Sequence, residues 1–347
     1  MRRLTVIATL PEPRGPVSEW LIERLGGRPR RAETAPTAAV LDHDPLAGED
    51  LQLALYVAYE LHYRSFEGVD ERWEWEPALL SLRRELEDAF ESALTEQVGA
   101  RDEAPPEQVE QRLRALVEGD DGPSVGAALA RRPVLEQLRE LVVQRSAFQL
   151  KEADPHTWAI PRLRGRPKAA LVEIQADEYG SGDPARIHQE MYRDTMQAVG
   201  LDPTYGAYLD HIPGVTLATV NLVSMFGLHR RLRGAAVGHL AAYEMSSPAG
   251  SRRYANALRR LGFGDRATAF FDEHVEADSV HEAIASHDMA GGLALAEPQL
   301  AGDILFGARA LALVERRFAE HVLDAWERGE GSLLAPLAPA AAAQPVG

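Results

Sequence analysis

The sequence predicts an all-α protein, and three observations support this fold class. Apolar residues recur at the three- and four-residue spacing of an amphipathic helix through most of the chain. No segment shows the alternation of apolar and polar residues that is typical of a strand. Prolines and glycines divide the chain into helix-length pieces with short connections. We therefore expect one helical bundle with a single core over residues 47–330.

Two flanking segments lack this pattern. Residues 1–46 carry clusters of Pro, Gly and Arg around one short amphipathic piece, Glu19 to Leu25, and we expect a partly ordered, loosely packed arm. Residues 331–347 are rich in Ala and Pro, a composition typical of disordered tails. Between the flanks we expect helices over residues 50–66, 78–94, 134–151, 168–179, 185–199, 212–246, 250–262, 265–289 and 298–328.

Composition excludes several classes of function. The net charge of −16 argues against nucleic acid and anionic membrane surfaces as partners. The chain has no cysteine, which excludes disulfides, cysteine-bound zinc, iron–sulfur clusters and a thiol nucleophile. The apolar run at residues 4–10 is too short for a signal peptide, and no stretch approaches the roughly 18 residues that span a bilayer. We therefore expect a cytoplasmic protein, in which any metal site uses histidine and carboxylate ligands.

One segment concentrates metal-ligating side chains. Asp278 and His281 follow His274 by four and seven residues, so a helix places all three on one face. Imidazole and carboxylate together suit iron, zinc, manganese or copper. Such a face supplies half of a dinuclear site or most of a mononuclear one. The alternative is a solvated polar helix face, so other segments must supply matching ligands.

Glu178 and His188 are the next candidates, on either side of a Gly-rich interruption at residues 180–184. Ten regular helical residues would turn these two side chains away from a common face, so a broken helix is needed to bring both inward. Asp177 is the competing acid, because a spacing of eleven residues restores the common face without a break. The alternative is that these acids end a helix or face solvent.

Glu244 and Glu152 complete the set. Glu244 stands at the end of the long apolar helix predicted over residues 212–246, where a buried carboxylate is costly unless it meets a cation. An exposed helix end is the alternative. Glu152 either supplies one more acid or belongs to a segment that merely ends a helix. The same long helix contains three glycines, each costing about 1 kcal/mol against Ala, which indicates close packing, a bend or room for a substrate. They are Gly227, Gly234 and Gly238.

Three histidines and at least three carboxylates suit two iron ions bridged by carboxylate and oxygen. The Glu-x-x-His motif of ferritin-like diiron proteins does not occur, so we expect a different helical scaffold. Acids next to the histidine motif are candidates to orient the imidazoles; these are Asp272, Glu273 and Glu276. Six other histidines are interpreted as structural or surface residues: His62, His211, His229, His239, His287 and His321.

The sequence resembles the haem-oxygenase-like diiron oxidases, also described as iron-containing redox enzymes, over residues 44–328. The resemblance implies a helical bundle like haem oxygenase, in which an iron pair bound by carboxylates and histidines replaces haem. It depends on Asp44-Pro45-Leu46, Glu60-Leu61-His62-Tyr63, Glu152-Ala153-Asp154-Pro155-His156, Asp177-Glu178-Tyr179-Gly180-x-Gly182 with His188, Glu244, and the motif of His274, Asp278 and His281.

The resemblance also implies a ligand set. Ala185 stands where some relatives carry a further acid, so the second iron is either weakly held or uses Glu152 instead. The implied ligands are Glu178, His188, Glu244, His274, Asp278 and His281, with Glu152 as a further one.

The resulting hypothesis is a non-haem diiron oxidase or oxygenase that uses O2 to oxidise a small molecule. The reactions implied are N-oxygenation or oxidative C–C cleavage of an amine, amino acid or fatty acid. An external electron donor is expected, because the chain lacks cysteine and any flavin or nicotinamide fingerprint. The alternatives are a metal-independent acid–base enzyme and a non-enzymatic metal- or haem-binding protein on the same fold. The sequence is also compatible with a homodimer.

Overall fold

The computed structural model describes residues 8–29, 44–101 and 103–338, with the backbone alone for residues 276–280. Within these ranges the chain is helical and forms no strand beyond one isolated antiparallel bridge between Tyr179 and Ile187. The predicted all-α fold class is therefore confirmed. No helix in the described ranges is both long and apolar enough to cross a bilayer.

The helices are numbered in chain order. They are α1 (Pro16–Leu25), α2 (Glu49–Glu60), α3 (Pro77–Val98), α4 (Val109–Glu118), α5 (Val125–Arg131), α6 (Leu135–Gln149), α7 (Asp154–Thr157), α8 (Gly165–Glu178), α9 (His188–Ala198), α10 (Gly214–Leu228), α11 (Arg233–Arg260), α12 (Asp265–Ala283), α13 (Gly292–Ala296) and α14 (Ala301–Glu327). A π-helical segment, Ile284–Gly291, joins α12 to α13.

Helix α11 is the centre of the bundle, because it packs along both α12 and α14. Helix α10 packs against α2, α14 and α7, and every residue from Gly214 to Gly227 is buried, as expected for a helix that is apolar on all sides. The buried apolar residues form two clusters, a larger one and a smaller one. Tyr243 of α11 packs against both, which places the middle of this helix between them.

The helix predicted over residues 212–246 is wrong, because the chain breaks it at residues 229–232. The guanidinium of Arg162 donates hydrogen bonds to the carbonyls of Gly227 and Leu228, and so satisfies the end of α10 from 66 residues away. The predicted boundary before residue 250 is also wrong. Helix α11 continues through Pro248, whose missing N–H removes the hydrogen bond that the Glu244 carbonyl would otherwise accept. Glu244 thus lies inside a helix rather than at its end.

Part of the N-terminal arm is packed more closely than expected. Val17, Leu21 and Leu25 of α1 are fully buried in the larger cluster. The carboxylate of Asp50, in the first turn of α2, accepts hydrogen bonds from the backbone N–H groups of Val17 and Ser18 at 2.9 and 2.7 Å. Since this carboxylate satisfies donors at the start of α1, the two helices are joined by capping as well as packing. The boundary of the arm at residue 46 stays a prediction.

The C-terminal tail begins with ordered contacts. Ser332 is buried, and the N–H of Leu334 donates to the carbonyl of His211 at 2.9 Å. The predicted disordered tail also includes residues 339–347, which lie outside the described residues. The limits of the tail therefore stay a prediction.

Glycines allow α11 and α14 to approach closely. A Cβ added to Gly238 would lie 1.8 Å from the carbonyl oxygen of Ile304, and one added to Gly307 would lie 2.0 Å from that of Ala235. Gly227 of α10 is confined in the same way by the carbonyl of Pro155. Of the three roles considered for the glycines, close helix packing is the one that the structure shows.

The substitution Gly238→Ala should therefore destabilise the protein by about 2 kcal/mol or more, because a backbone carbonyl must move to admit the methyl group. Gly250→Ala is the matched control in the same helix, since its Cβ would meet only Tyr254 at 3.7 Å. The control should be neutral or stabilising by up to about 1 kcal/mol. Urea unfolding followed by circular dichroism measures both, and equal midpoints for the two variants would contradict the close contact.

Candidate metal centre

Six of the seven predicted ligands meet in the protein interior in two groups that share one residue. Within each group, one nitrogen or oxygen atom of every member lies within 4.8 Å of those of the others. All six side chains are buried. The first group is Glu152, Glu178, His188 and His274; the second is Glu178, Glu244 and His281. The seventh predicted ligand, Asp278, has its side chain outside the described residues.

The break between α8 and α9 brings Glu178 and His188 together. Glu178 is the last residue of α8, and His188 is the first residue of α9. Between them the chain reverses through two short 3₁₀ turns at a positive-φ glycine, Gly180, whose Cβ would lie 2.8 Å from the backbone of Arg186. The broken helix therefore brings Glu178 inward, as the spacing required. Asp177, the competing acid, points outward with about half of its side chain exposed.

Several ligand-type atoms face each other without a hydrogen bond. His188 Nδ1 and Glu178 Oε2 lie 2.9 Å apart, yet both are buried and neither takes part in a hydrogen bond. His281 Nδ1 is in the same situation, 3.6 Å from Glu244 Oε2. A buried polar atom left unsatisfied costs about 1–3 kcal/mol. A cation held between these lone pairs would satisfy them, so the residues present fit a metal.

The electrostatics of the site favour a cation. The three glutamates of the two groups carry a formal charge of −3, and the three imidazoles add none when neutral. Burial lowers the pKa of His188, but the neighbouring Glu178 outweighs this and the pKa is raised. Burial also opposes protonation of His281, but Glu244 and Asp177 raise its pKa to about 9. The carboxylates therefore attract positive charge, which a divalent metal supplies in place of protons.

Two hydrogen bonds fix the orientation of the α12 imidazoles. His281 Nε2 lies 3.0 Å from Asp177 Oδ2, so that Nδ1 faces Glu244. His274 Nδ1 donates to the carbonyl of Phe270 at 2.7 Å, which turns Nε2 toward Glu152, 3.6 Å away. In metal sites such partners hold the imidazole in the tautomer that binds the ion.

The acids predicted for this orienting role do not perform it. Glu273 pairs with Arg186 at 2.9 Å, and Asp272 pairs with Arg259 at 2.6 Å. Helical geometry places both side chains on faces that differ from that of His274, so neither reaches the ligand groups. The side chain of Glu276 lies outside the described residues.

Glu152 sits on a strained turn between α6 and α7. The next residue, Ala153, has φ +72° and ψ −36°, a conformation that L-residues rarely adopt. The amide of Gln175 donates to the carbonyl of Ala153 at 2.9 Å, and that of Gln189 donates to the carbonyl of Glu152 at 2.8 Å. These two donors hold the turn in place. Strain of this kind costs about 1–3 kcal/mol and persists where surrounding contacts impose it.

A fully buried ion pair anchors the same turn from the other side. Lys151 Nζ lies 3.0 Å from Glu60 Oε2, and neither side chain has any exposed surface. The hydroxyl of Tyr205 donates to the same carboxylate oxygen at 2.7 Å. The ammonium also lies 4.5 and 4.6 Å from the ring centroids of Tyr56 and Tyr63. Lys151 is thereby fixed, and with it the backbone that carries Glu152.

Two uncharged residues that contact Glu152 were not predicted from the sequence as site residues. The hydroxyl of Tyr243 lies 3.4 Å from Glu152 Oε1. Gln149, oriented to satisfy both of its ends, donates to the Glu152 carboxylate and accepts from Tyr243 at 3.2 Å. Glutamines and tyrosines within helices carry no spacing signal that separates site residues from ordinary core residues. Only their sequence proximity to Glu152 and Glu244 could have drawn attention to them.

The histidine pair beside the site fits a structural interpretation. His156 Nε2 and His239 Nδ1 lie 3.2 Å apart, and both rings are buried. Burial lowers the pKa of His239 to about 3 and that of His156 well below its usual value. Both are therefore neutral at physiological pH and belong to neither ligand group.

A cavity of about 520 Å³ adjoins the site, within the size range of small-molecule pockets. Its lining includes His274, Tyr243 and Gln149, and extends outward to the exposed Arg253. Part of the lining comes from residues 242–254 of α11, most of which lie beyond the end of the glycine-bearing helix predicted over residues 212–246. None of the three predicted glycines takes part.

The family model for iron-containing redox enzymes matches residues 139–316, slightly more than half of the chain. The chain belongs to this family. All six described ligand candidates lie within the matched range. The chain is therefore an iron-dependent oxidoreductase of the helical haem-oxygenase-like fold, as the resemblance implied.

One curated relative is a nitrosourea synthase from Streptomyces achromogenes subsp. streptozoticus. It is 28% identical to this chain over 144 residues, which is 41% of this chain. The match covers 30% of the synthase, so the chain spans less than a third of that relative's length.

The substitution Asp177→Asn should weaken iron binding by about 10- to 100-fold, because the His281 ring loses the carboxylate that orients it. Glu173→Gln, an exposed acid one turn earlier on α8, is the control and should bind iron as the unmodified protein does. Competition against a chromophoric chelator under anaerobic conditions measures the affinities. Equal affinity in the two variants would show that Asp177 does not support the site.

The substitution Ala153→Gly should raise the free energy of unfolding by about 1 kcal/mol, because glycine adopts the observed φ without steric cost. Part of the gain is offset by the greater freedom of glycine in the unfolded chain. Urea unfolding of the metal-free protein measures the change. A loss of more than about 1 kcal/mol would contradict a strained turn at this position.

Proposed function

We propose that the chain is an O2-activating, non-haem diiron oxidase or oxygenase that acts on a small-molecule substrate. The observation that carries this proposal is the carboxylate of Glu178, which belongs to both ligand groups. A carboxylate shared by two adjacent groups of buried ligands is suited to bridge two metal ions. Family membership supports iron as the metal.

The proposed ligands divide between two irons. Glu152, His188 and His274 would hold the first, Glu244 and His281 would hold the second, and Glu178 would contact both. Asp278, on the same helix face as His274 and His281, is proposed as a further ligand. With Ala185 in place of the extra acid of some relatives, Glu152 supplies the added carboxylate, as considered from the sequence.

Bound iron would supply the redox chemistry for O2 activation. The protein would supply the rest. Tyr243 and Gln149, which line the cavity, would orient the Glu152 carboxylate. The Asp177 and Phe270 contacts hold the imidazole tautomers. The buried aromatic residues around the ligands, including Phe270, limit the access of water.

The nitrosourea synthase favours one of the two expected reactions. A nitrosourea carries an oxidised nitrogen, so the name of the synthase favours N-oxygenation over C–C cleavage for this chain. An external electron donor, a cytoplasmic location and a homodimer stay predictions. A metal-independent acid–base reaction is the competing hypothesis, since the Glu178–His188 contact could also transfer a proton.

Measurement of the iron content tests whether Glu178 is a ligand of both proposed irons. Protein loaded anaerobically with ferrous iron should contain about two irons per chain and consume O2. His281→Ala should lose about one iron and keep the other, since it removes a ligand of the second group alone. Glu178→Ala should lower the occupancy of both. Elemental analysis after gel filtration measures the content.

Glu190→Gln, an exposed acid in the first turn of α9, serves as the control and should retain both irons. Full iron content in the Glu178→Ala variant would contradict the bridging role. Substrate turnover by protein stripped of metal would favour the acid–base hypothesis instead.

A further inference from the structure

The C-terminal half of α11 carries a concentration of positive charge. Arg252, Arg253, Arg259 and Arg260 are all exposed. Their spacing keeps them within roughly 120° of one another around the helix axis, so they share one face. Residues 245–264 contain these four arginines, no lysine and no acid, in a chain whose net charge is −16. We call these four residues the arginine face.

Little of this charge is neutralised within the protein. Arg259 pairs with Asp272 at 2.6 Å, and in the part of the chain that the structure describes the other three arginines of the face form no ion pair. Arg260 instead donates hydrogen bonds to backbone carbonyls at the end of α5. Two further exposed arginines, Arg131 and Arg132, stand at that end of α5. An exposed group of like charges with so few partners is suited to contact an acidic molecule.

A series of aromatic rings leads inward from the arginine face. Tyr254, which follows Arg253, is half-buried, and its ring centroid lies 5.6 Å from that of Phe271. Phe271 lies 5.2 Å from Phe270, and Phe270 lies 4.3 Å from the imidazole of His274. The first two separations are typical of packed aromatic pairs. The series therefore joins the surface beside the arginine face to a proposed iron ligand without a gap.

Such a series is suited to electron transfer. Electron tunnelling slows steeply with distance, and it is faster through packed side chains than across solvent. Phe270 and Phe271 are buried, and an added Cβ on Gly126 of α5 would lie 3.3 Å from the ring of Tyr254, so the outermost ring is also packed. The rings thus provide a dense route between the exposed part of α11 and the metal centre.

We propose that the arginine face docks a small acidic electron-carrier protein, whose electrons reach the metal centre through the aromatic series. The proposal rests on the proposed function, because it names the partner that reduces the same centre. The carrier loses one electron in each encounter, and two encounters return a ferric pair to the ferrous state. The electrons tunnel, so no ring is itself oxidised or reduced and no covalent bond of the protein changes.

The dimensions and charge of the arginine face favour a protein over a nucleic acid. The face extends over eight residues of α11, or roughly 12 Å along the helix axis. Encounters between electron-carrier proteins are correspondingly small and bury less than about 1,200 Å². A compact acidic protein can place its negative surface on the face alone. A long nucleic acid would extend beyond the face and meet the negative remainder of the chain.

Calorimetry tests the docking without any turnover. Iron-loaded protein in its oxidised form is titrated with oxidised plant-type ferredoxin, a small acidic [2Fe–2S] protein. Binding should be saturable at low salt. It should weaken about tenfold or more between about 50 and about 300 mM salt, because salt screens attraction between exposed charges.

Charge reversal locates the docking surface. Arg252→Glu combined with Arg253→Glu should weaken ferredoxin binding about tenfold or more, since two charges of the face are reversed. Arg84→Glu combined with Arg164→Glu is the matched control, because it changes the net charge equally at exposed positions on other elements. Arg84 lies on α3, which packs against α2 and α14, and Arg164 directly precedes α8. The control should bind ferredoxin as the unmodified protein does.

A change in the aromatic series separates electron transfer from docking. Reduced ferredoxin is mixed anaerobically with the oxidised iron protein, and the visible absorbance of ferredoxin follows its oxidation. Tyr254→Leu should preserve the affinity for ferredoxin but lower the limiting rate severalfold, because it removes the outermost ring. Tyr208→Leu changes a half-buried tyrosine outside the series and should preserve this rate. Reduced methyl viologen, a small cation that needs no docking surface, should reduce the arginine variants no more slowly than the unmodified protein.

Several results would overturn the proposal. They are no saturable binding of ferredoxin, tighter binding of a DNA duplex of about 20 base pairs, equal loss of binding in the two arginine pairs, or an unchanged limiting rate in the Tyr254→Leu variant. Iron content is measured on the same samples. Protein that holds no iron would contradict the diiron function, whereas protein that holds two irons and does not bind ferredoxin would contradict this proposal alone.

Discussion

The arrangement of the bundle around its site depends on three carboxylates that are buried close together. Glu152, Glu178 and Glu244 have less than a tenth of their surface exposed. Carboxylates in a protein interior are costly unless cations or hydrogen bonds compensate them. Three imidazoles face them, on α9 and α12. The helices that surround this point therefore bring together groups that only a bound cation would fully satisfy.

Two irregular stretches of backbone near the site bring these buried ligands together. A regular helix through residues 178–188 would turn one ligand away from the other, and Gly180 at positive φ provides the reversal that prevents it. Ala153 also has a positive φ, and it bears a conformational cost there because it is not a glycine. Its turn is held by Gln175, by Gln189 and by the buried Lys151. In both places an irregular backbone conformation positions a ligand, and at Ala153 the neighbouring packing maintains a strained one.

Sequence periodicity could predict the elements that obey local rules. His274 and His281 were identified because helical spacing alone places them on one face. Glu178 and His188 could be paired because Gly180 and its neighbours indicate a break. Glu244 could be identified as a lone acid in an apolar run, although its place inside α11 could not, since a proline four residues later predicts an end.

Long-range contacts set the limits of that prediction. Arg162 contacts the end of α10 from 66 residues away, whereas residues 229–232 contain no proline or glycine that would mark a boundary. The partner of His281 is Asp177, on another helix, whereas nearby acids such as Glu273 were the natural candidates. The Arg145–Glu315 pair spans 170 residues. Each of these contacts depends on tertiary packing, which residue spacing does not encode.

The diiron centre is tested most directly by a crystal structure of the ferrous protein with anomalous data collected on both sides of the iron edge. Two iron peaks are expected, both in contact with Glu178, one of them also with His188 and His274 and the other with Glu244 and His281. Iron bound elsewhere, or a site in which Glu178 contacts no metal, would contradict it.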